Sequence, residues 1–134
     1  MTDLNTIERE FKKLETLAPD LNATSDEFTA VLETLNKRLN GLNLGVELLL
    51  PYDQMKIAVG YGKFQGKWGI IVRRDDAMIG TEIWHLTEAP RNLRLHAINR
   101  IEPLLAEMAS STKRLNDRIR EGVSQLKDIT EAIR

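Results

Sequence analysis

The glycine spacing between Gly60 and Gly66 is the feature of this sequence that lies closest to a motif with known chemistry. The segment reads GYGKFQG, which superficially resembles a phosphate-binding glycine loop. The dinucleotide-binding pattern has one residue fewer before its third glycine, and it opens a helix whose amide groups hold the phosphate. Here the segment lies inside a predicted β-hairpin, so the pattern does not favour nucleotide binding.

The other residue types that carry chemistry are few and scattered. The chain has two histidines, His85 and His96, and no cysteine. Neither histidine has a second histidine three or four positions away, as helical metal sites often do. No serine or threonine lies in a nucleophile elbow, and no pair of carboxylates is placed in one cleft by the pattern. We therefore expect no catalytic residue, no metal and no cofactor, and the sequence favours a protein that is not an enzyme.

Composition excludes several other classes of protein. The 134 residues include 19 basic and 20 acidic side chains, for a net charge of −1, so strong non-specific attraction to nucleic acid is not expected. Without cysteine there is no disulfide framework and no thiolate zinc site. No apolar run is typical of a secretory signal or a membrane span. The sequence predicts one α+β domain over residues 1–134, located in the cytoplasm.

Residues 1–41 have the pattern of two short helices. Apolar residues recur every three or four positions from Leu4 to Ala18, and Pro19 follows them, which predicts that a first helix ends there. Thr24 and Glu27 have the spacing of a capping box, and Gly41 suits the end of a second helix. The expected structure is an antiparallel helical hairpin.

Residues 44–86 change to the alternating pattern of β-strands. Four strands are predicted, at Leu44–Leu50, Met55–Phe64, Lys67–Arg73 and Met78–Leu86, joined by connections short enough for hairpins. Two-residue turns at Gln65-Gly66 and Asp75-Asp76 would place Phe64 opposite Lys67 and Val72 opposite Ile79, and pairing of Leu50 with Met55 would place Leu48 opposite Ile57. This register places one apolar face against the core of an antiparallel meander. A one-residue slip would move an entire apolar set to the other face.

The opposite face of the predicted sheet is rich in glycine. Glycine inside a strand costs about 0.5–1 kcal/mol relative to alanine, and it often marks the close approach of a backbone or a ligand. Three occupants are considered for this predicted groove: a helix of the same chain, a second copy or another protein, and a flat small ligand. Its candidate residues are Gly60, Gly62, Gly69, Gly80, Ile71, Arg73, Glu82, Trp84 and Phe64.

Residues 88–134 have the pattern of two more helices packed on the sheet. Pro103 predicts a kink or break, and residues 110–112 could cap the last helix. That helix carries a seven-residue apolar repeat, typical either of a coiled-coil seam or of a helix in an intramolecular bundle. The candidate interface residues of the seam are Leu115, Ile119, Leu126, Ile129 and Ile133.

Charge is distributed unevenly along the chain. Residues 1–40 carry five basic and eight acidic side chains, whereas residues 91–134 carry nine basic and six acidic ones. Such segments attract each other, within one chain or across a dimer. The sequence therefore favours a non-enzymatic protein-interaction or assembly module that forms a homodimer, with itself or another protein as the partner. The alternative is a small-ligand-binding domain that uses the groove; nucleic acid and membranes are not favoured as partners.

Overall fold

A computed structural model describes residues 3–134, so the first two residues of the predicted domain, Met1 and Thr2, lie outside the described part. The described residues confirm an α+β fold with one four-stranded antiparallel sheet, in which strand order follows chain order. The elements are α1 (Leu4–Gly41), β1 (Leu48–Leu49), β2 (Ile57–Phe64), β3 (Lys67–Asp76), β4 (Gly80–His85), a 3₁₀ helix (Leu86–Glu88) and α2 (Arg91–Ala132).

The central hairpin has the predicted turn and register. Phe64 lies opposite Lys67, and the pairing continues to Ile57 opposite Arg74. Gln65 and Gly66 form the turn with φ values of 52° and 78°. Positive φ at both central residues is what a type I′ turn requires, and this turn matches the twist of the strands that it joins.

The pairing of β3 with β4 differs from the prediction. Val72 lies opposite Trp84, whereas a two-residue turn would have placed it opposite Ile79. Strand β3 continues to Asp76, whose carboxylate accepts hydrogen bonds from the Met78 and Ile79 amides and so closes a longer turn. The observed register differs from the predicted one by an odd number of residues. Every side chain of β4 therefore lies on the face of the sheet opposite to the one predicted.

Strand β1 is shorter than predicted. It comprises two residues, and Leu48 lies opposite Tyr61 rather than opposite Ile57. The cause is the following loop, in which Asp53 accepts hydrogen bonds from the amides of Met55 and Ile57. This wider turn displaces the pairing by an even number of residues, so β1 keeps its predicted face.

The predicted N-terminal hairpin is wrong, because α1 is one continuous helix of 38 residues. Its N-terminal cap is Asp3, whose side chain accepts the Asn5 amide, and Thr24 lies in the helix interior. Pro19 removes one amide donor, and its ring crowds the carbonyl of Glu15, which loses that donor. Both residues are exposed. Water can bond that carbonyl, which limits the cost of an internal proline.

The prediction of two C-terminal helices is also wrong, since α2 is one helix of 42 residues. Pro103 leaves the carbonyl of Asn99 without its amide donor, and both residues are exposed. Water can therefore bond this carbonyl, as it can bond that of Glu15. Thr112, predicted near a helix start, bonds back to the Met108 carbonyl within the helix at 2.7 Å. No helix in residues 3–134 is both long and apolar enough to cross a membrane.

The core lies between one face of the sheet and parts of both helices. Residue Leu86 of the 3₁₀ helix is fully buried there and belongs to the same apolar cluster as residues from both helices. The buried cluster consists of Leu32, Leu39, Leu50, Ile57, Val59, Tyr61, Ile70, Val72, Leu86, Ala89, Leu93, Ala97, Leu104 and Met108. Apart from Leu32 and Leu39, α1 contributes none of them.

Candidate functional site

The two helices run in the same direction and overlap over only part of their lengths. Arg91, at the start of α2, bonds Ser25 in the middle of α1 at 3.2 Å. Further along, Leu39 and Leu105 line one groove between the helices. Residues 3–21, called the N-terminal arm, therefore extend past the start of α2. Residues 113–134, called the C-terminal arm, extend past the end of α1.

The N-terminal arm carries an exposed apolar stripe. Its side chains lie at alternating spacings of three and four residues, and Phe11 is 60% exposed. The same spacing continues through Phe28, Leu32, Leu35 and Leu39, which pack in or against the core. The exposed members are Leu4, Ile7, Phe11, Leu14 and Leu21. The apolar face of α1 is thus packed against the core in the second half of the helix and exposed to solvent in the first half.

The C-terminal arm carries the predicted seam, and all five predicted residues are exposed. The exposed fraction rises from 39% at Leu115 to 79% at Ile133. Val123, beside the seam, is also exposed, and Gly122 occupies one seam position. Leu115 and Ile119 line the same groove as Leu39 at the end of α1. Among residues 3–134 no element of the same chain covers the seam beyond Ile119, in contrast to the bundle considered from the sequence.

The exposed surface of the chain is too large for a compact monomer. A compact folded protein of 15.3 kDa exposes about 7,100 Å², whereas this chain exposes 10109 Å². The difference is on the order of 3,000 Å², whereas each partner in a permanent protein interface buries about 1,000–2,500 Å². The excess surface of one chain is therefore large enough to form such an interface.

The flanks of the two stripes differ in charge. In the N-terminal arm, the charged residues next to the stripe are all acidic: Asp3, Glu8, Glu10 and Glu15. In the C-terminal arm the only charged residue at the equivalent flanking positions is Arg118. The whole N-terminal arm holds five acidic and three basic side chains, and the C-terminal arm six basic and four acidic ones.

The predicted groove is not assembled as expected. Ile71 and Arg73 lie on the outer face of the sheet with Gly60 and Ala58 opposite them, and Phe64 shares this face. The register of β4 places Trp84 and Glu82 on the other face, which the helices cover. There the Arg74 guanidinium bonds Glu82 at 2.8 Å and lies 5.2 Å from the centre of a Trp84 ring. Gly80 is the first residue of β4, directly after the turn, and has a φ of 95°.

Three of the predicted groove glycines are approached by the chain itself. A side chain at Gly60 would overlap the Leu48 carbonyl oxygen, because β1 crosses closely there. A Cβ at Gly62 would lie 3.6 Å from Glu47, and one at Gly69 would lie 3.2 Å from Asn36 of α1. The glycine face is thus explained in part by close approach of the chain's own backbone and side chains.

Asparagines of α1 cap the part of β3 that β4 does not pair. The side chain of Asn36 accepts the Ile70 amide at 3.0 Å, and Asn40 donates to the Trp68 carbonyl at 3.0 Å. The Tyr61 hydroxyl donates to Asn40 at 2.5 Å. Unpaired strand edges invite pairing with other chains, so these contacts protect this edge.

The two histidines have structural partners. His85 is buried, and its Nε2 donates to the Phe64 carbonyl at 2.7 Å. His96 Nε2 lies 2.5 Å from Asp53 Oδ2, and Arg100 lies 3.6 Å from the same oxygen. These contacts fix the loop after β1 to α2. Among residues 3–134 no group of three or more histidine and carboxylate side chains could hold a metal ion.

The Asp53 carboxylate is stabilised in its charged form. Partial burial alone would raise the pKa of Asp53, but hydrogen bonds from His96 and from the Ile57 and Met55 amides outweigh it and lower the pKa below its usual value. The group serves as a charged link between loop and helix.

The N-terminal stripe was not predicted as an interface. Because Pro19 predicts a helix end, the residues before it are expected to pack in a helical hairpin. The signal that could have found the stripe is the spacing of three and four, which continues across Pro19 to Leu21 and resumes in the same phase from Phe28 to Leu39 after polar residues at positions 24 and 25. Comparisons of the chain with protein-family models, with curated proteins and with solved structures found no match.

Proposed function

We propose that this protein is a self-associating assembly module whose contact surfaces are the N-terminal and C-terminal arms. The observation that carries the proposal is the pair of bare apolar stripes, one on each arm. Together with an exposed area about 3,000 Å² above that of a compact monomer, they favour association over an isolated chain.

Helix energetics support the same conclusion. Each arm is a helical segment of about 20 residues whose apolar stripe is largely exposed. Most of the stability of helices in proteins comes from packing of such an apolar face rather than from intrinsic helix propensity. Pro19 makes the N-terminal arm weaker still. A partner helix that covers the stripes would supply the burial that stabilises both arms.

The proposal is tested with one seam variant and one matched control. Ile119→Asp places a charge in the seam, whereas Ser124→Asp adds the same charge to the opposite side of the same helix. Light scattering after size-exclusion chromatography should give a mass above 15.3 kDa for the wild type and for Ser124→Asp. Ile119→Asp should give the monomer mass, because burying an unpaired charge is strongly unfavourable. A monomeric wild type, or equal masses for all three proteins, would refute the proposal.

A further inference from the structure

We propose that the arms pair heterotypically, with the N-terminal arm of one copy packed on the C-terminal arm of the next. The inference rests on the proposed self-association and specifies its geometry. In this arrangement the two helices run in the same direction, and each copy uses both of its arms. Three observations carry it: charge, the position of the folded core, and the match of the two stripes.

Charge disfavours pairing of two N-terminal arms. If two such arms ran in the same direction, Glu10 of one copy would lie beside Glu15 of the other. If they ran in opposite directions, Glu8 would lie beside Glu15. Both arrangements bring like charges together next to an apolar seam. The C-terminal arm instead offers Arg118 and neutral flanking residues.

Pairing two C-terminal arms is the remaining alternative. It would join two segments that each carry more basic than acidic side chains, and it would leave the N-terminal stripe in water. Heterotypic pairing joins segments of opposite net charge and covers most of both stripes. It therefore accounts for more of the exposed apolar surface of the chain.

The position of the core decides the direction of the pair. The folded core follows the N-terminal arm but precedes the C-terminal arm. When the two arms run in the same direction, the two cores lie at opposite ends of the paired segment. When the arms run in opposite directions, both cores lie at the same end and compete for space. The helical parts, about 27 Å and 30 Å long, are matched in length.

The stripes fit each other in this direction. One register places apolar residues in consecutive layers and sets the bulk of Leu14 against Gly122. Glu15 and Arg118 then face each other across the flank, and among residues 3–134 neither takes part in an ion pair of the single chain. The layers are Ile7–Leu115, Phe11–Ile119, Leu14–Gly122, Ala18–Leu126 and Leu21–Ile129.

Such pairing has a consequence for the assembly. Each copy presents one surface at one end and a different surface at the other, so the contact is heterologous. Heterologous contacts build rings when the rotation closes and filaments when it does not. The inference therefore predicts species larger than a dimer, unlike the homodimer that the seam alone suggests.

Complementation between two full-length variants tests the inference. Phe11→Asp damages only the N-terminal stripe, and Ile119→Asp damages only the C-terminal seam. Each variant alone should be monomeric, with association weakened about thirtyfold or more. An equimolar mixture retains one intact junction, between the N-terminal arm of the Ile119→Asp chain and the C-terminal arm of the Phe11→Asp chain. The mixture should form a dimer and nothing larger.

The outcomes separate this inference from the proposed function. Wild-type oligomers together with a monomeric mixture would refute heterotypic pairing and leave self-association standing. A Phe11→Asp variant that still forms dimers alone would point to pairing of two C-terminal arms and would also refute it. A wild type that is monomeric at every concentration would refute both.

Direction is tested by crosslinking, which the absence of native cysteine makes specific. A Glu15→Cys chain mixed with an Arg118→Cys chain should form a disulfide between copies. A Glu15→Cys chain mixed with a Thr130→Cys chain should not, because Thr130 lies about 18 Å further along the arm. Efficient crosslinking of the second pair instead of the first would overturn the proposed direction and register.

Discussion

Substitution of Gly60 by alanine should destabilise the protein, whereas the same change at Gly62 should not. A Cβ at Gly60 would overlap the Leu48 carbonyl oxygen and lie 3.0 Å from the Leu49 Cα, so the backbone of β1 would have to move. Overpacking of this kind costs about 1–3 kcal/mol. Alanine also restricts the unfolded chain more than glycine does, which stabilises the folded state by about 0.5–1 kcal/mol. The free energy of unfolding should therefore fall by about 1–2 kcal/mol in total.

Gly62 is the matched control because it lies two residues further along the same strand face. A Cβ there would meet Glu47 at 3.6 Å, an ordinary van der Waals contact, so Gly62→Ala should be neutral or stabilising by about 0.5 kcal/mol. Urea unfolding at a single protein concentration measures the two free energies of unfolding. Equal stabilities, or a Gly60→Ala variant as stable as the wild type, would refute the close approach of β1 to Gly60 of β2.

Three further substitutions test single contacts. The pKa of Asp53 is lower in the folded chain than in the unfolded chain, so its carboxylate stabilises the fold at pH values above the unfolded-state pKa and loses this effect as the pH falls through the folded-state pKa. The difference in stability between the wild type and Asp53→Asn should therefore shrink below about pH 4. Urea unfolding at several pH values measures this difference. Asn36→Ala removes the acceptor of the Ile70 amide and should lower the free energy of unfolding by about 1–3 kcal/mol; an unchanged denaturation midpoint would contradict the edge cap. Pro19→Ala restores an amide donor within α1 and should stabilise the N-terminal arm by up to about 3 kcal/mol, seen as slower hydrogen exchange there, whereas unchanged exchange would indicate a break in the helix.

The sheet was predictable where turn chemistry is local. Gln65 and Gly66 specify a two-residue turn, and this determines the whole β2–β3 register. The turns around Asp53 and Asp76 are different, because one carboxylate in each accepts two backbone amides and lengthens the turn. These hydrogen bonds stabilise turns with more than two residues, but they leave the alternation of apolar and polar residues in the flanking strands unchanged. The position of Trp84 therefore could not be derived from alternation alone.

The helices show the limit of local signals in another way. Pro19 and Pro103 are typical of helix ends, yet both lie inside long helices on exposed positions. Whether proline ends a helix depends on what else can bond the carbonyl that it leaves free, and that is a property of the folded chain. The C-terminal seam, by contrast, was identified from its spacing, because no proline follows Leu115 and only Gly122 replaces an apolar side chain in the repeat.

If copies of this chain associate through their arms, the mass measured in solution must depend on protein concentration. Sedimentation velocity of the unmodified protein over a wide range of concentrations should show a mass above 15.3 kDa that increases as the protein is concentrated. A single species of monomer mass at every concentration would contradict the account, because both apolar stripes would then remain in water.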